Sequence, residues 1–269
     1  GIGSAVFLYA SAYLRGAPRL ARFYVALTLF MASMLGAVLA DDLVLLVVFW
    51  ELTSLTSFLL IGYSPEEAAS RRSAQQGFLV TVAGGLAMLA GVILLGSVAG
   101  TFSITEILDR GEIIAAHPLA PTIIALIAAG AFAKSAQAPL HSWLANAMVA
   151  PTPVSAYLHS ATMVKLGVYL LARLDPVFSD HALWIALLTG FGAATMLTGS
   201  VLAMRETDLK RVLAYSTIVS LGTLTMLIGI PGELAAVAVV AFLIVHALYK
   251  ACLFLVAGII DHETGTRDS

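Results

Sequence analysis

The chain has 269 residues, of which 60% are hydrophobic and only 11% are charged, with a net charge of −2. Soluble domains carry about 25% charged residues, so this composition excludes an ordinary soluble domain and indicates a protein that crosses a membrane several times. The single cysteine, Cys252, excludes a disulfide framework, a thiolate zinc site and an iron–sulfur centre. Since the sequence has no nucleotide-binding loop and no nucleic-acid motif, neither a cofactor nor a nucleic-acid partner is expected.

Long apolar segments follow one another along the chain, and about 20 residues of helix cross a bilayer. We expect helices, because lipid-exposed backbone must satisfy its own hydrogen bonds. The predicted segments are 1–14, 20–40, 43–63, 74–98, 119–138, 153–174, 181–204, 209–230 and 234–260. The first is too short to cross, at about 21 Å. The chain also ends directly after a span, so it is predicted to be a fragment of a longer protein.

Polar signals mark the boundaries between these segments. Ser103 and Glu106 form a capping-box pattern before ITEILDRGEII, a short amphipathic stretch that we expect to lie at the membrane interface. Asp41 and Asp42 stand at the end of a predicted helical hairpin, where helix capping is the expected role.

The basic residues in the loops predict the orientation. Nine lie on one side of the predicted helices: Arg15, Arg19, Arg22, Arg71, Arg72, Arg205, Lys210, Arg211 and Arg267. Only Arg110 and Arg173 lie on the other side. Because basic loops stay in the cytoplasm, the chain is predicted to start outside and to end inside.

Glu51 stands in VVFWELTSL (47–55), a run that otherwise favours an apolar environment. It lies about 12 Å into its span, and a charge at such depth costs about 2.5–3.5 kcal/mol. Two interpretations stay open. The carboxylate could fix helix packing by pairing with a lysine, or it could titrate, so that its proton occupancy acts as a switch.

Lys134 precedes a predicted helix break at Pro139, in AFAKSAQAPLHSW (131–143). Proline removes a backbone donor, and broken helices at membrane depth recur at transporter binding sites. An ionised Glu51 would keep the proton on Lys134, and protonation of Glu51 would weaken that hold. The alternative is a proline kink with a lysine that extends to the interface.

Further ionisable side chains lie inside predicted spans. Lys165 and His159 share the segment 153–174 but lie about 240° apart around it; Lys165 is predicted to be a relay group, and His159 is either a relay or a packed histidine. His246 and Lys250 share one helix face at i, i+4. Because histidine titrates near neutrality, this pair is also predicted to relay protons.

Metal binding is not expected from the sequence. No two histidines have ligand spacing, and hard cations need several oxygen ligands together. His141 follows the predicted helix break, where it could line a cytoplasmic opening.

Three stretches resemble one membrane-protein family. They are AKSAQAPLHSWLANAMVAPTPVSAYLHSATMVKLGVYLLARL (133–174), DLKRVLAYSTIVSLG (208–222) and HALYKACLF (246–254). They are similar to the signature of the large antiporter-like subunits, a group that includes the proton-pumping subunits of respiratory complex I and the Mrp-type Na+/H+ antiporters. The lysine in HSATMVKLG and the closing DHETGTRD (261–268) resemble the A-type subunits of Mrp antiporters in particular.

The resemblance implies a helix bundle built from two inverted five-helix repeats, each with one broken helix. On that template, 20–174 is the complete first repeat, 181–260 is an incomplete second repeat, and Lys134 is the lysine of the first broken helix. The resemblance also implies a Glu51–Lys134 pair, followed by a relay through Lys165 towards His246 and Lys250.

The sequence therefore predicts a proton-translocating subunit of a multisubunit Na+/H+ antiporter. Its expected partners are other membrane subunits, the lipid bilayer, H+ and Na+, and no covalent chemistry is implied. The alternative is a proton-pumping subunit of complex I or of a membrane-bound hydrogenase. A passive membrane scaffold is the third interpretation, and it leaves the charges at membrane depth without a role.

Overall fold

The structure, a computed structural model, describes residues 1–268. Its helices are α1 (Ile2–Tyr13), α2 (Leu20–Leu39), α3 (Leu43–Ile61), α4 (Ala68–Ala99), α5 (Ile104–Asp109), α6 (Gly111–Ala115), α7 (Ala120–Lys134), α8 (Ser142–Asn146), α9 (Thr152–Ser160), α10 (Lys165–Phe178), α11 (Ala182–Ala203), α12 (Leu209–Ile228) and α13 (Glu233–Thr264). A 3₁₀ turn at Ala147–Val149 follows α8.

Within residues 1–268, six helices are long and apolar enough to cross a membrane, namely α2, α3, α4, α11, α12 and α13. Large apolar side chains such as Leu39, Leu79 and Leu234 lie exposed on their outer faces. Exposed apolar side chains along such helices suit contact with lipid or with other membrane helices. The prediction of an all-helical protein with several membrane spans is confirmed.

Small residues allow the helices to pack closely. α4 packs against both α3 and α7, while α11 packs against α12. A β-carbon placed on Gly84 of α4 would lie only 2.3 Å from the β-carbon of Ala133 in α7. Since lipid gives no hydrophobic drive for helix association, close van der Waals contact at small residues supplies much of it.

Polar contacts join the loops at each end of the bundle. At one end, Asp42 accepts a hydrogen bond from the Leu45 backbone N–H at 2.8 Å, which confirms the predicted cap of α3. Its neighbour Asp41 accepts hydrogen bonds from Ser103 and Thr105 instead, and therefore ties the α2–α3 hairpin to α5.

At the opposite end of the bundle, ion pairs connect Arg19 with Glu66 and Arg267 with Asp208. Both of these arginines belong to the set of nine basic residues that the sequence places on one side. The contacts agree with that grouping, whereas the side of the membrane that each end faces stays a prediction.

Two sequence predictions need correction. The predicted span 153–174 is two helices, α9 and α10, with residues 161–164 between them, so His159 and Lys165 do not share one helix. Lys210, assigned to a loop, lies in the first turn of α12 with only 2% of its surface exposed.

Candidate functional site

The carboxylate of Glu51 points from α3 towards α4. Its Oε1 atom is buried and has no hydrogen-bonding partner among residues 1–268. Gly85 of α4 makes room for it, because a β-carbon placed on this glycine would lie 1.7 Å from Oε1. The absence of a side chain at Gly85 therefore fixes where the Glu51 carboxylate can lie.

Lys134 is the last residue of α7 and is completely buried. Its Nζ donates hydrogen bonds to the backbone oxygen of Trp50 at 3.0 Å and to Ser54 Oγ at 2.7 Å, and lies 5.1 Å from the centre of the Trp50 ring. The ammonium group is therefore held by two neutral acceptors of α3. One belongs to the residue before Glu51 and the other to the residue one turn after it.

Glu51 and Lys134 lie close enough to interact electrostatically, but within the described part of the chain they form no direct ion pair. The helix geometry explains the separation. Trp50 and Ser54 share one face of α3 at i, i+4, whereas Glu51 is turned by about 100°. The carboxylate thus faces α4 while the lysine binds the neighbouring face of α3.

The predicted helix break after Lys134 is present. Ala136 adopts a left-handed conformation with φ of 49°, and the Gln137 N–H reaches the Phe132 carbonyl at 2.9 Å, which is the hydrogen bond of a Schellman ending. The indole N–H of Trp143 donates to the Ala133 carbonyl at 3.0 Å. Protein groups therefore satisfy backbone that the break exposes.

The second break, between α9 and α10, carries Lys165. Lys165 is the first residue of α10, is 4% exposed, and donates from Nζ to the Leu243 carbonyl of α13 at 3.0 Å. A cation at this position opposes the positive N-terminal end of the helix dipole. The structure therefore holds a lysine where helix electrostatics disfavour it.

His159 is fully buried in α9. The centre of its ring lies 6.4 Å from that of Trp143 and 6.5 Å from that of Phe254. Neither of its ring nitrogens has a hydrogen-bonding partner in the described residues. Buried polar groups are normally satisfied by protein or by ordered water, so we expect water beside this histidine.

His246 and Lys250 lie buried on one face of α13, as the spacing predicts. His246 interacts electrostatically with both Lys165 and Lys250. Lys250 donates from Nζ to the Leu213 carbonyl at 3.2 Å and to Ser216 Oγ, both in α12. The structure thus brings Lys165, His246 and Lys250 together where α13 meets α10 and α12.

Sequence reasoning missed Lys210 as a buried group. Its Nζ donates to the Ala150 carbonyl at 2.6 Å, just before α9. The available signal was its position two residues after Asp208, the residue that caps α12. A lysine in a first helical turn opposes the helix dipole, so another contact has to favour it there.

Four lysines, Lys134, Lys165, Lys210 and Lys250, are therefore buried and hydrogen-bonded to backbone carbonyls or hydroxyls, and within residues 1–268 none forms an ion pair with a carboxylate. Neutral acceptors can hold an amine in either protonation state, so this arrangement is suited to proton exchange. In the same residues, no group of three or more His, Cys, Asp or Glu side chains could hold a metal ion.

The family described as NADH:quinone oxidoreductase/Mrp antiporter, TM, matches residues 40–269. The chain belongs to this family. The predicted membership of the antiporter-like subunits is confirmed, whereas the roles of Glu51, Lys134, Lys165, His159, His246 and Lys250 stay predictions.

Family members with known names cover nearly the whole chain. The A-type Na(+)/H(+) antiporter subunit of Alkalihalophilus pseudofirmus is 51% identical over 283 residues, which span 100% of this chain and 35% of that protein. The A/B-type subunit of a probable K(+)/H(+) antiporter from Rhizobium meliloti is 49% identical over 99% of this chain and 27% of that protein. The chain thus spans about a third of the length of these relatives.

Solved structures give the same fold. A chain in the structure of the Mrp complex from Dietzia sp. DQ12-45-1b is 48% identical, with a TM-score of 0.94, over 99% of this chain and 29% of that one. A chain of the archaeal membrane-bound sulfane sulfur reductase shares the fold at a TM-score of 0.90 and 22% identity, covering 99% of this chain and 56% of that one.

Proposed function

We propose that this chain is a proton-translocating part of the A-type subunit in a multisubunit cation/proton antiporter, and that it exchanges protons for Na+ together with other membrane subunits. The observation that carries the proposal is the set of lysines buried inside the bundle without bonded carboxylates. Removing an amine from water is costly, and a purely structural lysine would be expected to pair with an acid.

Proton uptake is assigned to Glu51 and Lys134. When Glu51 is ionised, its charge favours a protonated Lys134, and protonation of Glu51 removes that attraction. No hydrogen bond between the two has to break, because Lys134 is bound to Trp50 and Ser54 instead. The proton state of Glu51 therefore biases Lys134 through space.

From Lys134 the proposed route continues to Lys165, His246 and Lys250. α7 packs against α10, and Lys165 reaches α13 through Leu243, three residues before His246. His159 contacts Phe254 of α13, one turn beyond Lys250, and its ring nitrogens, which we expect to contact water, make it a further proposed relay group. In the proposed architecture, 20–174 forms the first inverted repeat, with the start of the chain outside and its end in the cytoplasm of a bacterial inner membrane.

The exchanged cation is proposed from the antiporter relatives, whose names include both Na+ and K+. Na+ is favoured because HSATMVKLG and DHETGTRD resemble the A-type subunits of Mrp antiporters, which are Na+/H+ antiporters.

The test measures ΔpH-driven Na+ exchange in vesicles that contain the full-length protein in its assembled complex. Glu51→Ala and Lys134→Ala are each expected to abolish exchange, since each removes one half of the uptake pair. Glu112→Ala, which removes an exposed carboxylate of α6, is the matched control and should keep the wild-type rate.

Native gels report whether each variant assembles. Wild-type exchange in assembled Glu51→Ala and Lys134→Ala complexes would overturn the mechanism. Exchange that responds to K+ but not to Na+ would overturn the choice of cation.

A further inference from the structure

The two helix breaks of the bundle lie against each other. α7 ends at Lys134 with Ser135 as the capping residue, and α10 begins at Lys165. Ser135 is completely buried. Its Oγ accepts a hydrogen bond at 3.1 Å from the backbone N–H of Val168, in the first turn of α10. One hydrogen bond thus joins the two segments that carry the lysines.

This contact has a clear physical reason. The N–H of the fourth residue of a helix normally donates to the carbonyl of the residue before the helix, as Phe23 does to Arg19 in α2. Val168 is the fourth residue of α10, and its N–H donates to Ser135 instead. A serine hydroxyl commonly satisfies a first-turn N–H at a helix N-cap. Here the hydroxyl comes from another helix, so satisfying the donor also fixes the relative position of the two helices.

Gly167 permits the close approach. A β-carbon placed on this glycine would lie 2.3 Å from the Ala131 carbonyl oxygen and 2.3 Å from Ser135 Oγ. Any larger side chain would therefore push the first turn of α10 away from the last turn of α7. The spacing of the two segments depends on both Gly167 and Ser135.

We propose that Ser135 is a positioning residue that holds Lys165 at the distance from Lys134 across which protons pass. The hydroxyl belongs to the residue after Lys134, and its partner Val168 lies one turn from Lys165 on the same helix surface. Ser135 itself does not carry the proton. This inference rests on the proposed proton route. It adds that Ser135 sets the distance for the step between Lys134 and Lys165.

The test compares Ser135→Ala with wild type in vesicles containing the full-length protein in its complex. Loss of the acceptor frees the first turn of α10 to shift, and a misplacement of 1 Å between reacting groups can slow a reaction about 100-fold. We expect the exchange rate at saturating Na+ to fall about tenfold, with an unchanged half-saturating Na+ concentration. The rate ratio between H2O and D2O should rise, because proton transfer becomes slower than the other steps.

Two further variants make the result specific. Ser135→Cys keeps the branching of the side chain, with a somewhat larger and weaker acceptor, and should give an intermediate rate and an intermediate isotope ratio. Ser33→Ala is the matched control. Ser33 is a buried serine of α2 that donates to its own helix at Leu29, so this variant should match wild type.

The outcomes separate the proposals. A wild-type rate and isotope ratio in Ser135→Ala, while Glu51→Ala is inactive, would overturn the positioning role and leave the proton route standing. A lower rate with an unchanged isotope ratio, in proportion to less assembled complex, would also overturn it, because Ser135 would then serve stability alone. Full exchange in assembled Glu51→Ala would remove the proposed route, and the role of Ser135 with it.

Discussion

Replacing Gly85 with alanine tests whether the position of the Glu51 carboxylate matters for transport. The new β-carbon would lie 1.7 Å from Glu51 Oε1, whereas β-carbons essentially never approach other atoms closer than 3.0 Å. The carboxylate oxygen must therefore move by about 1.3 Å or more. Because Oε1 is the end of a flexible side chain, Glu51 can move without the helices separating.

The expected effect on stability is small. Alanine favours a helix over glycine by about 1 kcal/mol, and a strained rotamer of Glu51 costs about 0.5–1.5 kcal/mol. These two terms nearly cancel. Exchange, by contrast, should fall at least about tenfold, because a displacement of 1 Å between reacting groups can cost about 100-fold.

The assay is ΔpH-driven Na+ exchange by the full-length complex in vesicles, combined with thermal unfolding of the purified complex. Gly190→Ala is the matched control. Gly190 also lies inside a helix, α11, but in the described residues nothing lies within 4 Å of its added β-carbon. It should gain helix stability and keep the wild-type rate.

A wild-type rate in Gly85→Ala would refute the reasoning, because the carboxylate would then work equally well from a displaced position. An equal loss of exchange in Gly190→Ala would also refute it, since the effect would then come from added helix stability rather than from Glu51.

Two further predictions concern stability. Gly192→Ala should destabilise the full-length protein by about 1–3 kcal/mol. The new β-carbon would lie 2.5 Å from the backbone nitrogen of Met226 and 2.7 Å from the backbone oxygen of Gly222, both in α12. A thermal midpoint equal to that of Gly190→Ala would contradict this. Asp41 lies outside the spans, and hydrogen bonds from Thr105 and Ser103 lower its pKa below 3.8. The stability that the Asp41 carboxylate contributes is therefore present above about pH 4 and is lost as the pH falls through the folded pKa. The thermal midpoint should fall in acid for wild type, and less so for Asp41→Asn. Equal acid sensitivity of the two proteins would count against this contribution of Asp41.

The break after Lys134 could be predicted because proline gives a strong local signal. Pro139 cannot donate a backbone hydrogen bond, and a lysine five residues before it in an apolar run marks the place. Glu51 was found for the same reason, since a charge at membrane depth stands out against its neighbours. In both cases a single residue is of a type that the surrounding apolar helix disfavours.

The break before Lys165 could not be predicted in this way. The sequence HSATMVKLG contains neither proline nor a glycine at the interruption itself. Instead, Ser160 and Thr162 donate to the carbonyls of Ala156 and Tyr157, and such side-chain bonds compete with the backbone ladder. The same residues occur in unbroken helices, so the local sequence does not decide the outcome. In the structure the two halves pack on different helices, α9 on α13 and α10 on α7.

The burial of Lys210 was not predicted, because Lys210 was grouped with the basic loop residues that lie near it in sequence. Arg211 next to it does face solvent partially and pairs with Glu206 at 2.7 Å. One residue earlier along the helix, Lys210 is turned by about 100° and points inward to Ala150. A charge count per loop cannot separate two adjacent basic residues that point in different directions.

The separation of Glu51 from Lys134 bears directly on the proposed mechanism. If the two formed a tight buried ion pair, protonating the carboxylate would leave the lysine with broken hydrogen bonds, and breaking such a pair costs about 3–5 kcal/mol. Here the lysine is hydrogen-bonded to Trp50 and Ser54 rather than to Glu51, so protonation of Glu51 does not require either bond to break. On the proposed mechanism, a proton on Glu51 therefore changes only the electrostatic attraction, which can be small enough to reverse in each cycle. Gly85 maintains this arrangement by leaving room for the carboxylate between α3 and α4, beside the face of α3 that binds Lys134.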